Sequence, residues 1–137
     1  MQDDDDERPK SVDDEDAVAD PEVRECRPPL FPFQKLEAYG IAKELARRVQ
    51  QAKIRDTELR DQATRAAKST FLRLCEGLPN DSAAMRRKYF VEAYNSLHET
   101  VGAMDLAQTI GAVSDEDAAA AQALAWRLRG LIMGLLR

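Results

Sequence analysis

The sequence predicts an all-α fold, an antiparallel up-down-up-down four-helix bundle behind a disordered acidic N-terminal tail. Three observations point there. Apolar residues recur at helical spacing in four successive stretches, and no stretch alternates at the two-residue period of a strand. The apolar share is 44% but the aromatic share only 6%, so the core must be rich in Ala and Leu, which favours helices over a sandwich. Composition also breaks near Leu30: residues 1–30 hold 12 acidic and 4 basic side chains, the remainder 13 acidic and 16 basic. The net charge of -5 therefore joins an acidic segment of -8 to a mildly basic domain of +3. These observations divide the chain into a tail, 1–30, and a bundle, 31–137.

The tail carries acidic blocks at Asp3 to Glu7 and Asp13 to Asp16, interspersed with Pro9, Pro21, Pro28 and Pro29. Few bulky apolar residues accompany them, too few to offset the entropy of ordering the chain. Three roles fit such a tail: a solubilising segment, a nucleic-acid mimic that folds back on a basic surface, or a dock for another protein. The run Pro28-Pro29-Leu30-Phe31-Pro32-Phe33 leads into the fold. Its prolines keep it extended, and Phe31 and Phe33 are expected to pin it to the end of the bundle.

The first helix is expected from Gln34 to Ala52, with a heptad-like seam of Ala38, Ile41, Ala42, Leu45, Val49 and Ala52. The second runs from about Leu59 to Gly77. Its buried stripe is made mainly of small residues, Ala63, Ala66, Ala67 and Thr70 with Leu74, which lets a neighbouring backbone approach closely. Asp56 and Thr57 cap its start, and Gly77 followed by Pro79 stops it. Asn80, Asp81 and Ser82 then open a third helix, Ala83 to Ile110, whose apolar side includes Tyr89, Phe90, Ala93, Tyr94, Leu97, Val101, Met104 and Ala107. Gly111 closes it. Ser114 and the acidic turn Asp115-Glu116-Asp117 start the fourth.

The fourth helix is apolar or small nearly all round. At about 100° per residue, Leu124, Leu128, Leu131 and Leu135 share a core face with Ala125 and Ile132 at its margin. Trp126 and Met133 fall on the opposite side, beside a stripe of small residues that includes Ala123, Gly130 and Gly134. A monomeric bundle buries one side of a helix, so these five residues are the predicted oligomer interface.

The run Leu59-Arg60-x-Gln62-x-x-Arg65-Ala66-Ala67-x-Ser69, continued by Glu76-Gly77, Ser82, Ser96-Leu97-x-Glu99 and Leu106-Ala107, resembles the ribosomal-RNA intervening-sequence family, often called four helix bundle proteins. The resemblance spans about the last three quarters of the chain. It departs at Arg73, where the family usually has Asn, and the tail before Leu30 is foreign to it. The family includes accessory proteins of diversity-generating retroelements, basic pentameric barrels that work with a reverse transcriptase and RNA. The resemblance thus implies a pentameric homo-oligomer and, as partners, RNA and a reverse transcriptase.

No catalytic constellation can be assembled, so no enzyme is expected. His98 is the single histidine, and no His-based metal site, Glu-x-x-His pair or glycine-rich phosphate loop is present in the sequence. Cys26 and Cys75 have no metal-ligand spacing, and no metal or cofactor is expected. No stretch approaches the roughly 18 apolar residues of a membrane span, so a cytoplasmic location is expected.

Basic residues are more suggestive. Arg47, Arg48, Lys53 and Arg55 gather near the end of the first helix, and Arg60, Arg65, Lys68 and Arg73 run along the second. Arg86, Arg87 and Lys88 cluster at the start of the third. These are the candidate nucleic-acid contacts, two regions joined by a ladder on the second helix, suited to phosphates rather than base edges. The leading expectation is a non-enzymatic, oligomeric accessory or scaffold protein that binds RNA. The alternative is a protein-interaction scaffold that uses its ring surface or acidic tail and binds no nucleic acid.

Overall fold

The computed structural model describes residues 28–137, and residues 31–137 form one compact unit. The acidic segment predicted to be disordered, and Cys26 within it, lie outside the described residues. A single 3-10 turn, Pro32–Lys35, precedes four helices: α1 (Glu37–Gln51), α2 (Thr57–Gly77), α3 (Ala83–Thr109) and α4 (Asp115–Leu136). No strand occurs among the described residues.

The expected first helix is split. Leu36 is extended (φ -81°, ψ 146°), so the turn led by Pro32 closes separately before α1 begins. The break lets Phe33 meet Tyr39 edge-on at 5.6 Å, and Tyr39 in turn touches Phe71 of α2 at 5.1 Å. Phe33 therefore pins the lead-in segment. Phe31 does so only through its edge-on contact with Phe33, and its own ring remains exposed.

The caps are those written in the sequence. Asp56 accepts from the Leu59 amide, Ser82 from Met85 and Ser114 from Asp117, each satisfying an amide that the first helical turn leaves open. At the end of α3, Gly111 adopts φ 75° and both bonds of a Schellman motif form, Ala112 N–H to Ala107 O at 2.7 Å and Gly111 N–H to Gln108 O at 3.0 Å. Gly77 behaves differently from expectation. Leu78 stays helical and still bonds Leu74 O, so Gly77 does not turn the chain. It lies buried against Phe90, where even a methyl group would crowd the ring.

Contacts between helices give their directions. Gln62 meets Glu99, Ser69 meets Ser96 and Arg73 meets Glu92, so α2 and α3 run oppositely. Arg87 near the start of α3 donates to Leu136 O at the end of α4. At the other end, Arg55 joins the α1–α2 connection to the α3–α4 connection, through its backbone amide to Ala112 O and its guanidinium to Gly111 O. The most extensive helix contact is α2 with α3, followed by α1 with α4, α3 with α4 and α1 with α2.

The core runs along the middle of the bundle: Leu45, Val49, Leu74, Phe90, Leu97, Leu128 and Ile132 are fully buried, with alanines between them. The α2 stripe is as predicted, Ala63, Ala66, Ala67, Thr70 and Leu74 all being buried. In α4 the buried line is Ala118, Ala121, Ala125, Leu128 and Ile132, and Leu124, Leu131 and Leu135 are only partly buried. The helix is thus turned by roughly 60° from the leucine-centred phase. Alanines fit the narrow interior better, and the larger leucines fill its flanks.

Candidate nucleic-acid interface

Three of the predicted cations share one surface. Arg60, Arg65 and Lys68 of α2 line a groove of about 310 Å³ with Gln50 of α1 and with Thr64 and Asp61 of α2. Helical spacing explains this: residues 60, 64 and 68 form an i, i+4 ridge beside α1. Arg65 donates to Gln62 Oε1 at 3.1 Å, a neutral partner that leaves its charge uncompensated. Within the lining, three cations face a single carboxylate, so the local potential is positive.

Two candidate cations are neutralised by neighbours. Arg47 forms an ion pair with Glu44 and also donates to Gln51 Oε1 at 3.1 Å. The Glu44 carboxyl is held below its ordinary range, first by the hydrogen bond from Arg47 and then by that charge working against desolvation, while Arg47 is raised by the same bond. Arg73 bonds Glu76 at 2.5 Å and Glu92 of α3 at 3.3 Å, and the Glu76 hydrogen bond raises it. It therefore lies on the α2/α3 side, and the basic ladder of α2 ends at Lys68 on the α1 side.

The remaining candidates lie toward the two ends. Arg48 is half-buried near the end of α1, and Lys53 is exposed in the connection. Arg55 is exposed but its guanidinium tethers Gly111. At the far end, Arg86 and Arg87 line a groove of about 430 Å³ with Phe90, Leu135 and Arg137, and Arg86 lies 5.8 Å from the centre of the Phe90 ring. Lys88 sits over Tyr89 at 5.4 Å. The two basic regions are thus separate.

Sequence reasoning did not single out Lys43, Gln50, Thr64 or Arg137. Lys43 lies 5.6 Å from the centre of the Tyr39 ring, which bridges α1 to Phe71 of α2, so its ammonium extends the α1/α2 cationic surface. The i, i+4 spacing of Tyr39 and Lys43 was the available signal.

The predicted interface residues lie on the outer side of α4. Trp126 is 68% exposed, with the Arg129 guanidinium 5.2 Å from its ring centre. Met133 and Ala123 are exposed, and Gly130 and Gly134 have open space where a Cβ would stand. Between α3 and α4, Trp126 borders a groove of about 210 Å³ floored by Leu97, Val101 and Ala125.

Among the described residues, His98 and Cys75 lie apart from one another. His98 Nδ1 lies 2.8 Å from Tyr94 O, four residues earlier. Burial, with the Glu76 charge second, pushes the Cys75 thiol up, opposing formation of the nucleophilic thiolate. Among the described residues, no three His, Cys, Asp or Glu side chains gather in a metal-binding group, and no helix is long and apolar enough to cross a membrane.

The fold and its surfaces define an all-helical four-helix bundle with a basic groove between its first two helices. The family model of the 23S rRNA-intervening sequence protein matches residues 34–134, and the chain belongs to that family. No curated protein matches it.

Proposed function

We propose that this protein is a non-enzymatic, oligomeric accessory or scaffold protein of the cytoplasm that holds nucleic acid, chiefly RNA, by its phosphates. The supporting observation is the α1/α2 groove, in which Arg60, Arg65 and Lys68 are opposed by Asp61 alone. Lysine and arginine gain from releasing the counterions condensed on a phosphate chain, and repetition of a modest positive surface around an oligomer multiplies that gain. A reverse transcriptase is the proposed protein partner, on the strength of the family resemblance. The second reading, a protein scaffold without nucleic acid, draws on the exposed Trp126 face.

Binding of a labelled RNA against salt concentration tests the proposal, using the full chain and a version beginning at Leu30. Affinity should fall steeply with salt and rise when the net charge of -8 in front of the bundle is removed. Arg60→Ala should weaken binding to every RNA sequence alike and reduce the log–log salt slope by about one. Absence of binding by either chain at low salt would favour the protein scaffold.

A further inference from the structure

We infer that the α1/α2 groove distinguishes RNA from DNA, the Gln50 amide and Thr64 hydroxyl reading the ribose 2′-hydroxyl between phosphates held by Arg60, Arg65 and Lys68; this rests on the nucleic-acid reading of that groove. The lining combines cations with two neutral hydrogen-bonding side chains, one from each helix. Arginine and lysine can only donate, whereas an amide and a hydroxyl both donate and accept. A 2′-hydroxyl is likewise both donor and acceptor, and it is the group that separates RNA from DNA.

Among the described threonines and glutamines, Thr64 and Gln50 share with Thr57 and Gln122, which lie outside this groove, the lack of a side-chain partner. Thr70, Thr100 and Thr109 each donate to the carbonyl four residues earlier in their helices. Gln34, Gln51, Gln62 and Gln108 are engaged with backbone or charged groups. Thr64 and Gln50 have no side-chain partner among the described residues, so both are available to a ligand. Thr64 also lies midway between Arg60 and Lys68 on one helical ridge, with about 6 Å of axial rise on either side. No aromatic side chain lines the groove, so it offers no platform on which a base could stack.

The test compares an RNA oligonucleotide with the same sequence carrying 2′-fluoro in place of 2′-hydroxyl, which preserves the charge and an RNA-like sugar pucker but removes the hydroxyl donor. Fluorescence anisotropy with the full chain should show RNA bound about tenfold more tightly, the scale of one or two hydrogen bonds. In the double variant Gln50→Ala, Thr64→Val, RNA affinity should fall to the 2′-fluoro level while 2′-fluoro affinity stays within about twofold of wild type. Arg60→Ala should weaken both ligands equally. Equal binding of the two oligonucleotides by wild type, or a preference that survives in the double variant, overturns the inference and leaves phosphate binding intact. If Arg60→Ala changes neither affinity, the groove is not the nucleic-acid site and the inference falls with that reading.

Discussion

Gly77 and Gly40 are both helical, yet substitution should move stability in opposite directions. A Cβ on Gly77 would stand 2.8 Å from Phe90 Cε1, 3.0 Å from Cδ1 and 3.1 Å from the Tyr89 Cβ. Phe90 is fully buried, so its ring has little room to withdraw. Gly77→Ala gains up to about 1 kcal/mol of helix propensity but meets an overpacking cost of about 1 to 3 kcal/mol, for a net loss of up to about 2 kcal/mol. Gly40 has nothing within 4 Å of the same position, so Gly40→Ala should gain about 0.5 to 1 kcal/mol. Urea midpoints measured at one protein concentration read the pair. A stabilised Gly77→Ala variant would mean that the ring yields freely and that the close approach of α2 to α3 does not depend on the glycine.

At the scale of the helix, the buried stripe of α2 holds Ala63, Ala66, Ala67 and Thr70 in place of larger residues. Ala66→Leu should therefore overpack the interior and cost about 1 to 3 kcal/mol, with an unchanged urea m-value. A rise in stability would put that position at the surface. The phase of α2 was legible because its small and charged residues segregate cleanly around the helix, and its cap because Asp56 acts on an amide three residues away. In α4 the leucine periodicity points about 60° away from the buried line. That helix is apolar or small on nearly every side, and which side faces inward is decided by the space the other three helices leave, a long-range property. The basic surface was partly legible for a similar reason. Residue type identified the cations, but only packing shows that Arg73 pairs with Glu92 of another helix and that Gln50 of α1 joins Arg60 of α2.

At the scale of the whole molecule, the outer side of α4 carries Trp126, the most exposed large hydrophobic side chain among the described residues. The line Ala123, Gly130 and Gly134 lies almost opposite the buried line of that helix, and Trp126 and Met133 lie to one side of it. Small residues let a second helix come close, and an exposed Trp beside them supplies a large apolar contact. Trp126→Asp places a carboxylate there, which is costly to desolvate in any apolar interface and harmless on a free surface. Because Trp126 packs little within its own chain, far-UV circular dichroism should be nearly unchanged. Light scattering should then show the mass falling toward that of one 15.4 kDa chain. Apparent thermal stability should fall with it and lose its dependence on protein concentration, since association no longer stabilises the folded chain. An unchanged mass would place Trp126 outside the interface, and the apolar side of α4 would need a different partner.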